Sequence, residues 1–537
     1  MNVCWLSYHP NVPAKGYWDQ GLFIRFLAGA QQHYALATIP PGEGAVVCLP
    51  AKAHEHDIPR LNQDLAALPW VLLILAEDEH GDFDTDQLEH PNMRVWVQTP
   101  WPGRYQRCDQ ALGVYWREEC PVVLDELLHY EGAQERIHDW AFTGQVTHSR
   151  RRACAEVLRQ LERGHMVETR VFGARPDEGG QSYSDYLATL SRAKVVPCPS
   201  GAVNPDSFRL WEALEAGCVP VADGVSPRVD FPAGYWALVA KDAPFPVLID
   251  WAEFPAILAT LLDDWQLHAV RCSAWWLGEK RRLRQLLQDT VAELGGHPAA
   301  APRFTVLLPT SPIPDHPSTA HLVETVNSIR ARTDAPIIIS CDGVRPEQAD
   351  LRERYLEYVR EVLRLAHHEW DGVQVMVHEE HLHQVEMARR ALDLVRTEAI
   401  LYVEHDTPLC GAIPFADLIT ALTVLDVVRL YHECAIPAEH GYLHRGSEHL
   451  GPCRFERTVQ WSQRPHLAKI EYYRRILTEC FSVEARTFIE DKMHSVAQTA
   501  PERHRIGIYL PDGPDIRRSY HTDGRAGANK FDGGLIF

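Results

Sequence analysis

The first ten residues, MNVCWLSYHP, lack the basic n-region and apolar core of a secretory leader. Long hydrophobic runs are also missing. The longest, WVLLILA at 70–76, is far short of the roughly 20 residues that span a bilayer. The thirteen cysteines contain no C-x-x-C pair, which excludes a zinc ribbon and reads as reduced intracellular thiols rather than a disulfide framework. Low-complexity tracts and short-period repeats are absent, so solenoids and linker-type disorder drop out. Positive charge is scarce: 53 Lys and Arg against 73 Asp and Glu leave a formal net charge of −20, unattractive to a polyanion. Clusters such as Arg150-Arg151-Arg152 and Lys280-Arg281-Arg282 are local exceptions suited to phosphate. These absences predict a cytoplasmic, multidomain chain with no membrane partner, and 537 residues suffice for about three cores.

What is present alternates short apolar runs with helical patterns, the mark of α/β architecture with mostly parallel sheets. Strands are expected at 70–76 and 94–100. The pattern restarts with WAFTGQ (140–145), a helix at 149–163, ETRVFGA (168–174), AKVVPCPS (193–200) and GCVPVADG (217–224). A basic, Trp-rich helical stretch (265–294) precedes GGHPAAAPR (295–303), whose small, Pro and Gly residues read as a linker. FTVLLPTS (304–311) then opens a new domain, followed by APIIISCDG (335–343), a helix near 384–396 and ILYV (400–403).

Two segments carry chemistry. In CPSGAVNPDSFRLWEALEAGCVPVADG (198–224), Asp206 or Ser207 caps a helix that Gly217 ends. Ser207 and Arg209 at that helix start offer an anion site, with Glu212 placed to accept from ribose hydroxyls; a capped helix with solvated side chains is the plain alternative. In YVEHDTPL (402–409), Glu404 and Asp406 end a buried strand on one side by period-2 alternation, as Asp342 ends another. Acids at successive strand ends lie on the carboxyl edge of a parallel sheet, where such folds bind ligands, and carboxylates with substrate phosphates suit Mg²⁺ or Mn²⁺. A solvated strand end is the alternative.

The segment NPDSFRLWEALEAGCVPV, within about 135–295, resembles the nucleotide-sugar site of exostosin-type GT-B glycosyltransferases. The resemblance implies Ser207 and Arg209 on a diphosphate and Glu212 on a ribose. FTGQ with HSRRR likewise matches the strand, loop and basic helix start of that half, adding Gly144, Arg150 and Arg151. Asn204 stands where many retaining GT-B enzymes carry a second Glu, leaving the stereochemistry of this half open. A Rossmann-like half at 1–134 would then hold the acceptor, with HPNVPAKGYWDQG (9–21) as its loop and Asp19 as a candidate base, although an ordinary helix-start acid is the favoured reading of that residue.

From 304 to 537 the order of motifs is similar to the inverting GT-A family. That resemblance assigns Asp342 to the nucleoside, Glu404 and Asp406 to a D-x-D-type metal motif, and His521 to a third ligand position. It also makes Asp491, with Glu490 beside it in FIEDKMH, the catalytic base. WSQRPHLAK supplies Trp461 and Arg464 as acceptor contacts, Trp461 having a core role as its alternative. The implied cofactors are Mn²⁺ or Mg²⁺ and a nucleotide sugar, a UDP-sugar. YVEHDTPL and WSQRPHLAK also look like segments of bacteriophage transferases, some of which glycosylate hydroxymethylated pyrimidines. Acceptor DNA, in a host cytoplasm, is thus the first expectation and a glycan the second. A nucleotide-binding scaffold with one inactive module stands as a further alternative.

Overall fold

The computed structural model describes residues 1–6, 21–27, 29–50, 58–76, 81, 83–101, 107–115, 120, 135–169, 181–227, 234–297, 302–483 and 485–522. The chain divides into two compact units, Met1–Ala299 and Ala300–Phe537.

The first unit contains two parallel sheets. One runs Gln31–His33, Asn2–Trp5, Ala45–Pro50, Val71–Ala76, Met93–Gln98, Gln110–Leu112; the other runs Gly164–Thr169, His138–Gln145, Ala193–Cys198, Val219–Asp223, Val247–Leu248. Counted from its own first strand, each sheet has the order 2-1-3-4-5, the first adding a sixth strand. Such sheets bind ligands beyond the strands' carboxyl ends, where the winding reverses between strands one and three. Val71–Ala76 is buried at every position, as a strand covered on both faces requires. The Trp-rich stretch is one helix, Trp265–Leu294. It is tied to both sheets: Trp276 stacks with Tyr115 and tilts against Trp211, while Asn92 donates to the Leu294 carbonyl at 3.2 Å. Inside it, Lys280 pairs with Glu215 at 2.9 Å, both essentially unexposed, and Trp276 Nε1 donates to the same carboxylate.

The expected helix at 149–163 ends at Leu158, and the strand placed at 168–174 begins earlier, at Gly164; its residues 170–174 lie outside the described residues. Gly164 pairs with Trp140 in the ladder. A Cβ there would come within 1.8 Å of the Trp140 indole.

The second unit holds a nine-stranded mixed sheet ordered Val373–Val377, Ile337–Cys341, Phe304–Thr310, Ala399–Tyr402, His466–Lys469, Val427–Arg429, Ile506–Leu510, Cys453–Thr458, His444–Leu450. Its first four strands are parallel, and His466–Lys469 then enters antiparallel to both neighbours. The α/β class is as expected, with more antiparallel pairing in this unit than the sequence pattern predicts. All thirteen cysteines are free thiols, and among the described residues no helix is long and apolar enough to cross a membrane.

Candidate active site and a second sheet-edge site

A cavity of about 390 Å³ opens at the carboxyl edge of the second unit's sheet, where Phe304–Thr310 lies between Ile337–Cys341 and Ala399–Tyr402. It gathers Asp342, Glu404, Asp406, Arg464, Glu490 and His521 from the sequence reading. It also gathers His381, His383, Arg345, Gln384, His405 and Phe488, which that reading passed over. The overlooked signal is three histidines, His378, His381 and His383, directly after a strand.

Glu404 to Thr407 form a turn rather than an extended continuation: the strand stops at Tyr402, and Thr407 N–H and Oγ1 both donate to the Glu404 carbonyl. The two acids therefore reach the cavity through a turn, and His405 lines it as well. Thr325 Oγ1 donates to the His405 carbonyl at 2.8 Å, anchoring the turn to helix Ala320–Arg330. Gln384 Nε2 donates to Glu404 at 2.9 Å, and its Oε1 accepts from Ile489 N–H, coupling this acid to the start of helix Ile489–Thr499. The late segment returns to the same turn: Thr522 N–H donates to the Asp406 carbonyl, Leu409 bridges Ser519, and His521 Nδ1 comes 3.5 Å from Asp406 Oδ2.

Among the described residues no three His, Cys, Asp or Glu side chains stand grouped as a metal site. The residue types present are nevertheless those a hard divalent ion takes. Two carboxylates and an imidazole line one cavity, and Mg²⁺ or Mn²⁺ ordinarily takes one or two protein carboxylates and completes its shell with water and phosphate.

Three expectations are corrected by the surroundings. Asp342 is 1 % exposed and its oxygens accept from Gly343, Leu382 and His383 N–H, with His381 Nδ1 2.8 Å away. It orients the 381–383 segment instead of offering free oxygens to a nucleoside. Gly343 allows that segment to approach, since a Cβ there would lie 2.2 Å from the Glu380 carbonyl carbon. His383 adopts φ 62°, sparsely populated for such a residue, and its ring meets Phe488 edge-on at 4.4 Å. Burial, then His381, pulls its pKa below the usual range. Trp461 is 1 % exposed, packed among Tyr472, Tyr473 and His466, so it belongs to the core and not to an acceptor surface. Asp491 is exposed and does not line the cavity; its neighbour Glu490 does, held by Gln463 N–H at 3.2 Å. Consecutive residues in a helix's first turn point about 100° apart, so only one of the pair faces the cavity.

The second sheet of the first unit has its own edge site. At the reversal between His138–Gln145 and Ala193–Cys198, Arg209 donates from Nε and Nη2 to the Thr143 carbonyl and lies over Phe142. Its Nη2 rests on Gly144, where a Cβ would come within 2.1 Å. Arg209 Nη1, Thr143 Oγ1, Gln145 Nε2, Ser200 Oγ, Ser207 Oγ and both His148 ring nitrogens are buried there without a hydrogen-bond partner among the described residues. Burial, then Arg151 beside it, holds His148 at about 4, so the ring is neutral near pH 7. Arg151 itself donates to the Ser200 carbonyl.

Other expected contacts at this edge are internal. Arg150 chelates Asp223, with a closest approach of 2.6 Å, and Asp223 also receives Trp251 and Ser200. Glu212 accepts from Tyr183 and Tyr186 hydroxyls at 2.5 and 2.8 Å, so it does not offer itself to a ribose. Asp206, buried between the sheets, accepts from Val114 and Ser207 N–H, Trp211 Nε1 and Tyr235 OH. Burial, only partly offset by these donors, pushes its carboxyl up to about 7. Asn204 caps the same turn through Asp206 N–H. Asp19 and most of the 9–21 loop lie outside the described residues.

Comparison with known proteins reaches this same segment. A family model described as the RXYLT1 C-terminal domain matches residues 120–291. Ribitol-5-phosphate xylosyltransferase 1 of Mus musculus is 28% identical over 176 residues, 30% of this chain and 38% of that protein. Its Danio rerio counterpart is 25% identical over 207 residues, 36% of this chain and 46% of that protein. The chain thus spans under half the length of the curated relatives it matches. Among solved structures, S. aureus TarS 1–349 gives a TM-score of 0.28 at 14% identity, covering 41% of this chain and 61% of that one. The mannosyltransferase PcManGT from Pyrobaculum calidifontis, in complex with GDP-Man and Mn²⁺, gives 0.27 at 13%, covering 40% and 56%. The relatives matched by sequence are glycosyltransferases by name.

Proposed function

We propose that this chain is a nucleotide-sugar-dependent glycosyltransferase whose transfer chemistry lies in the Ala300–Phe537 cavity. The observation that carries the reading is the convergence of Glu404, Asp406, His521 and Glu490 on one cavity at the sheet's winding reversal. In this reading 304–537 is a GT-A domain, 296–303 a linker, and 1–134 with 135–295 a GT-B pair. Glu404, Asp406 and His521 hold the divalent ion, which when bound neutralises charge on the donor's diphosphate.

Glu490 takes the base role assigned to Asp491 by sequence. The acceptor hydroxyl oxygen bonds to the anomeric carbon as that carbon's bond to the diphosphate oxygen breaks. The hydroxyl proton passes to the Glu490 carboxylate and the nucleoside diphosphate leaves. His381 and His383, held by Asp342, line the nucleoside end. In the first unit, Arg209, Ser207, Ser200 and His148 bind the diphosphate of a nucleotide sugar, where buried donors otherwise lack acceptors.

For the acceptor, the alternative of a glycan or other polyol hydroxyl replaces modified DNA as the main reading. The matched relatives are named for ribitol-5-phosphate and xylose, and the −20 net charge disfavours a nucleic-acid grip. The test is incubation of the full chain with Mn²⁺ and a panel of UDP-sugars, with polyol phosphates, oligosaccharides and hydroxymethylcytosine DNA as acceptors, read by mass spectrometry. Sugar transfer to a non-nucleic acceptor is the expected result. Product on DNA alone refutes the acceptor class, and no turnover of any donor refutes the enzyme.

A further inference from the structure

Gln384 lines the cavity and stands between two of its acids. It is 8 % exposed, and its side chain is bonded at both ends of the amide. Nε2 donates to Glu404 Oε1 at 2.9 Å, while Oε1 accepts from Ile489 N–H at 3.3 Å. A carboxylate on one side and a backbone N–H on the other leave the amide a single orientation. Helix Ile489–Thr499 receives no side-chain cap from its own N-cap residue, Phe488, so its first N–H is satisfied from 105 residues away. Glu490, the candidate base, is the next residue of that helix.

The backbone that delivers Gln384 is held out of its ordinary conformation. Asp342 accepts from Leu382 and His383 N–H at 2.6 and 3.1 Å, and His383 sits at φ 62°. A left-handed conformation in a residue with a Cβ persists only where surrounding contacts over-determine it. His383 Nδ1 accepts from Gln384 N–H at 2.9 Å, and the same ring abuts Phe488. Residues 383 and 384 therefore meet the start of the Glu490 helix twice, through the imidazole and through the amide oxygen. The plain alternative is that Gln384 only caps this helix. A cap needs the oxygen alone, whereas the nitrogen is committed to a charge-assisted bond with Glu404.

We propose that Gln384 is a positioning residue that ties Glu404 to the helix carrying Glu490, so that loading the cavity with a divalent ion orders the base. The inference rests on the transferase reading above and adds to it a link between two of its acids. Gln384 acts through Glu404 and Ile489 and takes no part in the transfer itself. Gln463 N–H holds Glu490 Oε2 from the other side. Ile489 and Glu490 open the helix's first turn, whose N–H groups have no intrahelical acceptors, so release of the Ile489 bond loosens the turn that aims Glu490. Such a coupling is reciprocal: whatever the ion does for Ile489, the Gln384 bonds do for the ion.

The full chain is followed by hydrogen–deuterium exchange and mass spectrometry, with and without Mn²⁺ and with no sugar nucleotide, and Mn²⁺ affinity is titrated by calorimetry. In the native protein Mn²⁺ slows exchange of the peptide containing 489–491, and Glu404→Gln removes that response. In Gln384→Met, which keeps an unbranched side chain of similar length without its polar end, the peptide exchanges faster and no longer responds to Mn²⁺. The same variant binds Mn²⁺ about tenfold more weakly, the worth of one charge-assisted hydrogen bond. Circular dichroism first matches its folding to the native chain. A native chain that binds no Mn²⁺, or whose 489–491 exchange ignores Mn²⁺, overturns the link whether or not the variant folds. A response that survives Glu404→Gln also overturns it. So does a Gln384→Met chain that keeps the native Mn²⁺ affinity or the Mn²⁺ response, because Gln384 is then a cap and nothing more. Failure of the transferase reading shows differently, as a native chain that turns over no UDP-sugar while Mn²⁺-dependent protection of 489–491 persists.

Discussion

At the carboxyl edge of the Ala300–Phe537 sheet the acids face a cavity, whereas at the edge of the Gly164–Leu248 sheet the buried acids face protein. Glu404, Asp406 and Glu490 line open space. Asp206, Glu212, Glu215 and Asp223 are each taken up by indoles, phenols, amides or cations of their own unit. What the first unit presents instead is a set of unused donors around Arg209. The same topological position thus yields an acid-lined cavity in one unit and a donor-lined niche in the other. The difference teaches that winding order locates a site but the local hydrogen-bond ledger decides its chemistry. A niche of donors holds an anion; proton abstraction needs a carboxylate that the fold has left uncommitted.

The sharpest way to break this contrast is at the adjacent acids. Glu490→Gln lowers kcat for sugar transfer by about 10²- to 10⁴-fold, the range of a general base, and Asp491→Asn stays within about threefold. A reversed ranking in steady-state kinetics returns the base to Asp491. Next in size is Arg209→Lys, which keeps the charge but loses the fork gripping the Thr143 carbonyl. It weakens UDP binding to the first unit about tenfold in titrations, leaving the second unit's site intact.

A third effect, on stability and not on binding or turnover, concerns Asp206. Its folded pKa, about 7, lies above the unfolded carboxylate value, so the protonated form is favoured by folding. Its contribution to stability is complete below about pH 4 and is lost as pH rises toward 7, with a slope of up to about 1.4 kcal/mol per pH unit. Urea melts of the native chain against Asp206→Asn check this. The variant is less stable at every pH, because an amide N–H₂ meets the donors on one oxygen, and it lacks this group's part of the slope.

Much of the framework was legible in residue order. Buried strands such as Val71–Ala76 announce themselves by continuous apolar runs, and the helix Trp265–Leu294 begins and ends where its pattern does. The sheet-edge location of Glu404 and Asp406 follows from the strand before them. What residue order hides is partnership at long range. Glu212 meets tyrosines from another helix, Arg150 meets Asp223 across the sheet edge, and Asp342 is closed off by backbone from 382 and 383. Helical phase separates Glu490 from Asp491, and packing among Tyr472 and Tyr473 removes Trp461 from the surface. None of these is a property of spacing.

The strap that carries His521 to Asp406 sets an order in time. The cavity draws on residues from Pro309 to His521, and the bridge between Leu409 and Ser519 joins stretches made far apart during synthesis. A nascent chain therefore exposes its acidic turn well before the histidine that faces it exists. The pocket closes only when the last of these contacts, at high sequence separation, has formed. Removing residues from 516 onward leaves the sheet's strands complete while denying the turn its final wall, which separates folding of the unit from completion of its site.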